Sequence, residues 1–155
     1  MNDKEKIELK KRLRDKAIEI LQQRIDHANE SMNEAQRAAN SEDKRSVGDK
    51  YETARAMALN DRDIHARQLE SAQKDLSFVQ QIDVTLLHTH IDVGSCAETD
   101  NGKYFFLTGL GPIDVGNEKV YFLSISSPVG KHMTGKMTGD RVHFNGKEIT
   151  IKIVY

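Results

Sequence analysis

The chain has 155 residues, with 23 Lys and Arg against 24 Asp and Glu, for a formal net charge of −1. That balance supplies no bulk drive toward nucleic acid, so a protein partner is a better default than DNA. No apolar run approaches the roughly 18 residues of a membrane span. The N-terminal residues are charged throughout, without the apolar core of a signal peptide. The single cysteine, Cys96, cannot form an internal disulfide. A reducing, cytoplasmic setting and no membrane contact are therefore expected.

Composition changes sharply near residue 84. Residues 1–83 hold 16 Lys and Arg and 17 Asp and Glu, no proline and one glycine, Gly48. Residues 84–155 hold 7 of each charge sign, both prolines and 9 of the 10 glycines. This predicts two domains, a helical 1–83 and a turn-rich 84–155.

In the first, Ile18, Leu21, Ile25, Ala28, Met32, Ala35 and Ala39 alternate steps of three and four. That is the a/d seam of a coiled coil over about three heptads. Ile7, Leu9, Leu13 and Ala17 extend the apolar face upstream less strictly. The stretch 40–50, Asn-Ser-Glu-Asp-Lys-Arg-Ser-Val-Gly-Asp-Lys, interrupts the pattern with residues that favour turns. Ser46 or Asp49 is suited to cap a second helix running to about Asp83. Its seam is Tyr51, Ala54, Ala58, Leu69, Ala72, Leu76 and Val79, with Arg62 and His65 breaking the middle and Ile64 expected to take over part of it. The prediction is an antiparallel helical hairpin roughly 50 Å long at 1.5 Å per residue. Its tip carries Glu42, Asp43 and Asp49. These carboxylates read either as a solvated polar turn or as hard oxygen ligands for Mg²⁺, which takes one or two from protein.

From Val84 the periodicity shifts toward two. Ile91–Glu98, Lys103–Thr108, Glu118–Ile125, Arg141–Phe144 and Lys147–Val154 read as strands, with a turn at Asp100-Asn101-Gly102 and a glycine-rich loop over 109–117. Asn145-Gly146 is a type I′ hairpin signal. Ser127-Pro128 is a helix start, with Ser127 as N-cap and Pro128 at N1. The half is thus a small α+β domain of about 70 residues. His88-Thr89-His90 has no accompanying ligand cluster for zinc. Cys96 lacks an activating base, and no local motif suggests a nucleophilic triad, so a self-contained enzyme is not expected.

At Ile125-Ser-Ser-Pro-Val-Gly-Lys131, followed by Gly135-Lys-Met-Thr-Gly-Asp140 and the final hairpin, the chain resembles the Gre family of bacterial transcript cleavage factors. Val93-Gly94-Ser95 and Asp49-Lys-Tyr-Glu-Thr-Ala-Arg-Ala-Met57 add to the resemblance, which spans essentially the whole chain. It implies a coiled-coil hairpin joined to an FKBP-like domain in a monomeric factor that is not itself an enzyme. It further implies docking on bacterial RNA polymerase by the C-terminal domain, with Ser127, Pro128, Val129 and Gly130 at the contact. The tip would enter the secondary channel and hold a second Mg²⁺ at the polymerase active centre for cleavage of backtracked RNA, meeting nascent RNA only there. Asp43 matches the family's acidic position, but Ser46 stands three residues later where the family has a second acid. Glu42 with Asp43, or Asp43 with Asp49, remain the candidate pairs. Two functions stay open, cleavage stimulation and channel occupancy without cleavage. A prolyl isomerase or chaperone is a third, resting on fold analogy alone.

Overall fold

The computed structural model describes residues 1–41 and 48–155, and the backbone alone at Asp49. It is an α+β structure in which two long helices precede a six-stranded sheet. Helix α1 spans Asp3–Ser41 and α2 spans Asp49–Gln81. A capping box starts α1: the Glu5 N–H donates to Asn2 Oδ1 and the Asn2 N–H donates to Glu5 Oε2, each at 2.8 Å. Both donors would otherwise be orphaned at a helix N-terminus.

The chain divides into two compact units, residues 19–77 and residues 1–18 with 78–155. In the first, the helices pair antiparallel: Arg62 Nη1 donates to Gln36 Oε1 at 2.8 Å, while Leu21 and Ala28 share a groove with Ile64, Ala72 and Asp75. Every residue of the α1 seam is buried or half-buried, with Leu21, Ala28 and Ala39 buried. In α2 the polar residues Arg62 and His65 keep their seam positions, half-buried, while Ile64 is 37% exposed. Ile64, expected to take over part of that stretch of the seam, lies beside Leu21, Ala28 and Ala72 but stays partly open to solvent. The Arg62–Gln36 hydrogen bond satisfies the polar layer and holds it in place.

The second unit contains strands β1 Cys96–Thr99, β2 Gly102–Phe106, β3 Gly111–Val115 and β4 Glu118–Leu123. Helix α3, Pro128–Met133, follows, then β5 Arg141–Phe144 and β6 Lys147–Val154. The spatial order is β3-β4-β2-β1-β6-β5, and β2–β4 is the parallel pair. Both faces of the central strands are buried. Tyr104 and Phe106 join Ala97, Ile149, Ile151, Val154 and Met133 of α3 on one side. Phe105 packs edge-on against Phe122, ring centres 5.7 Å apart, on the other. There Leu9 and Leu13 of α1 line a cavity together with Val120, and Lys6 Nζ lies 5.9 Å from the Tyr155 ring centre. A central strand buried on both sides reads as a continuous apolar run, which is what Tyr104-Phe-Phe-Leu107 is.

Two boundaries differ from the sequence reading. The glycine-rich stretch 109–117 contains β3, paired antiparallel with β4 from Gly111↔Phe122 to Val115↔Glu118. Pro112 is tolerated because β3 is an edge strand, where a missing N–H need break no ladder bond. The strand expected from Ile91 begins only at Cys96. Gly94 takes a φ of +86° and donates to the Phe106 carbonyl at 2.7 Å, turning the chain just before it pairs. The Asn145-Gly146 turn forms as expected, with φ of 51° and 75°, positive at both central positions as type I′ requires.

Candidate functional site

The residues singled out for function fall at two places. Glu42 and Asp43 lie outside the described residues, as does Ser46. Asp49 is the first residue of α2. Among the described residues, no cluster of three or more His, Cys, Asp or Glu side chains could hold a metal ion.

The second place, Ser124 to Gly130, is described throughout. Ser127 caps α3 with extended backbone, and its Oγ accepts the Gly130 N–H at 3.1 Å while donating to the Ser124 carbonyl at 2.7 Å. The Ser127 N–H donates to the same carbonyl at 3.1 Å. The turn is so tight that a Cβ on Gly130 would meet Ser124 O at 2.2 Å and Ser127 Oγ at 2.8 Å. Glycine is required there by close approach and not by a positive φ. The four expected contact residues consequently differ in what they present. Gly130 is buried, Ser127 and Val129 are half-buried with Val129 against the core, and Pro128 is exposed.

Beside Pro128, Ser126, Lys131 and His132 are also exposed. His132 leans on Phe144 with ring centres 5.4 Å apart. These neighbours were not singled out as contact residues from sequence, although a six-residue helix capped by Ser127 and opening with Pro128 places 131 and 132 within about one and a half turns of the cap. The Gly135–Asp140 loop is held by backbone bonds from Gly135 N to Ile91 O and from Gly139 N to Ile151 O, and Asp140 Oδ2 accepts the Met137 N–H at 2.8 Å. Its motif residues thus serve the loop's own shape and leave Met137 42% exposed.

Sequence reading also missed a buried polar cluster. Lys10 is fully buried, and its Nζ donates to the Leu86 carbonyl at 2.5 Å. Burial lowers its pKa, opposed by Cys96 and Asp83. His88 Nε2 and Arg14 Nε are buried with no hydrogen-bond partner among the described residues. Burial, then Lys10, lowers the His88 pKa, against Asp92. Burial pushes the Cys96 thiol up to about 12, so it is protonated and inert at neutral pH. The visible signal for Lys10 is its position, three residues after Ile7 and three before Leu13 on the apolar face.

No protein-family model matches the chain, and no curated protein matches it.

Proposed function

We propose that this chain is a Gre-type accessory factor of bacterial RNA polymerase. The observation that carries the reading is the combination of a long helical hairpin, with Glu42, Asp43 and Asp49 in sequence between and at the start of its helices, and an α+β unit whose Ser127-Pro128 start of α3 presents Pro128 to solvent. A six-stranded, largely antiparallel sheet with one short helix is compatible with an FKBP-like module. In this reading Pro128 and its exposed neighbours dock on the polymerase, and the hairpin carries the tip into the secondary channel. Asp43, with Glu42 or Asp49, supplies carboxylates for a Mg²⁺ shared with the polymerase. Such an ion lowers the pKa of bound water and so supplies the nucleophile for RNA hydrolysis.

The runner-up is a channel-binding regulator that does not stimulate cleavage. It is favoured by Ser46 where a second acid is expected, and by Lys44 and Arg45 beside Asp43. RNA cleavage by stalled polymerase complexes separates the two. Stimulation by the wild type that is lost in Asp43→Asn supports the first reading, and binding without stimulation supports the second. Binding that is unaltered in Pro128→Ala removes α3 from the contact. Failure to bind polymerase at all sinks both.

A further inference from the structure

The sheet ends on β3 at one side and on β5 at the other. In an antiparallel ladder the backbone groups of successive residues point alternately toward the partner strand and away from it. A two-residue turn makes the residues that flank it a hydrogen-bonded pair. In the last hairpin that pair is Phe144 with Lys147, so Phe144 and Val142 face β6. The alternation continues to Asp140, whose carbonyl accepts the Ile151 N–H at 2.9 Å. Arg141 and His143 therefore turn their N–H and C=O groups away from β6. None of these four groups has a hydrogen-bond partner among the described residues. The opposite edge is blunted. Val115 and Glu118 flank the two-residue turn of the β3–β4 hairpin, so Pro112 and Asp114 are the outward positions of β3. Pro112 has no N–H to offer, and Asp114 sets an exposed charge there. One end of the sheet thus lacks a donor at one of its two outward positions, and the other keeps both.

We propose that β5 takes an extended segment of a partner protein as an added strand, one with Glu or Asp opposite Arg141 and an apolar residue beside Val142. Unpaired N–H and C=O groups that recur two residues apart are matched by another extended backbone, which offers its own at the same spacing. The two faces of β5 select the side chains. Arg141 and His143 are exposed on one face. The Arg141 guanidinium meets Glu148 through Nη1 at 3.4 Å, yet its side chain stays 70% exposed, which leaves donors for a second carboxylate. Opposite charges facing each other across a ladder stabilise the pairing. On the other face Val142 belongs to the core with Met133 of α3, and Phe144 lies against His132 of α3. An incoming side chain on that face lies beside Val142 and Phe144, where an apolar residue is suited. A second copy of this chain is a poorer occupant. Two β5 strands paired antiparallel about Val142 would set each Arg141 opposite His143 of the other copy, and neither position carries an acid. The inference is independent of polymerase binding and is tested without it.

The probe is a capped hexapeptide alternating Val and Glu, set against the same peptide with Lys for Glu. Each is titrated into the full, isotope-labelled chain, and the amide resonances report where it binds. The Glu peptide should shift the Arg141 and His143 amides and slow their hydrogen exchange, and the Lys peptide should bind several-fold more weakly. In an antiparallel pair the Glu residues oppose Arg141 and His143, so their N–H groups face β5. N-methylation at the Glu positions should therefore abolish binding, and N-methylation at the Val positions should not. His143→Pro gives β5 the device that β3 carries at Pro112. It deletes an outward N–H and no ladder bond, so the fold should persist by circular dichroism while peptide affinity falls by roughly tenfold. Arg141→Glu, at an exposed site, should weaken the Glu peptide and strengthen the Lys peptide whatever His143→Pro does to folding. Absence of Glu-peptide binding overturns the proposal, as do shifts confined to other residues, equal binding of the two peptides, or indifference to N-methylation at Glu. A dimer by sedimentation that His143→Pro splits gives the edge to a second copy and overturns it equally.

Discussion

Gly130→Ala tests the reading of the α3 start as a close-packed turn. In a helix, replacing glycine by alanine ordinarily stabilises by about 0.5–1 kcal/mol. Here the added Cβ would sit 2.2 Å from Ser124 O, 2.8 Å from Ser127 Oγ and 3.0 Å from Ile125 Cα. The first and last of these atoms are backbone, so no side-chain rotation relieves them. The turn must open, and overpacking of this kind costs about 1–3 kcal/mol. Opening it also lengthens the cap bond from Gly130 N to Ser127 Oγ, worth about 1 kcal/mol. Taking about 3 kcal/mol for the combined cost and about 1 kcal/mol for the propensity gain leaves a net loss of about 2 kcal/mol. For a chain of this size that lowers Tm by roughly 4–8 °C. Thermal unfolding followed by circular dichroism reads it directly. Gly109→Ala is the control, since nothing lies within 4 Å of its Cβ position; its Tm should stay within about 1 °C of wild type. Ser127→Ala combined with Gly130→Ala relieves the hydroxyl contact but leaves the two backbone contacts and removes the bonds of Ser127 Oγ to Gly130 N and Ser124 O, so the double variant should be no more stable than Gly130→Ala. A Gly130→Ala protein with the wild-type Tm or higher would refute the reasoning, because propensity would then outweigh the clash.

Burial lowers the Lys10 pKa below 10.5, so at alkaline pH the unfolded chain binds more protons than the folded one; stability should rise as pH climbs through the folded value, and Lys10→Met should abolish that rise in denaturant titrations at a series of pH values. His88 is lowered below 6.5 for the same reason, so stability should fall as pH drops from 6.5 through its folded value, a loss that His88→Gln should diminish. The Arg62–Gln36 hydrogen bond is partly exposed, and a double-mutant cycle to alanine should give a coupling of about 0.5–1 kcal/mol; a coupling of zero would remove the bond from the hairpin's stability. Gly146→Ala places a Cβ at a φ of 75° in the last hairpin and should cost about 1–2 kcal/mol in thermal unfolding.

Much of the architecture was legible from residues 1–83 because helical periodicity is local. The alternation from Ile18 to Ala39 repeats often enough to identify a seam, and those residues are the ones that are buried or half-buried. The two strongest punctuation marks of the second half, Ser127-Pro128 and Asn145-Gly146, were legible for a related reason: each dictates its own backbone, through a hydroxyl cap with a fixed proline φ in one case and two positive φ values in the other. The α+β class followed from these signals and the composition break.

What the sequence did not reveal depends on neighbours distant along the chain. Gly111-Pro112 looks like loop and becomes strand because β4 offers it a ladder and, among the described residues, no strand lies beyond it. The parallel β2–β4 pairing, which stacks Tyr104 on Tyr121 and sets Phe105 against Phe122, has no local signature in either strand. Lys10 carries the most hydrophilic kind of side chain and is fully buried, since the Leu86 carbonyl, 76 residues away, receives its ammonium. Gly130 is a shorter-range case: it belongs to the Ser-Pro-Val-Gly motif in sequence, yet its necessity comes from Ser124 O, six residues back, which the folded turn brings to 2.2 Å from the missing Cβ. Propensity and periodicity are short-range properties and can be read along the chain. Ladder partners and buried charge are set by long-range contacts, which exist only once the chain has closed on itself.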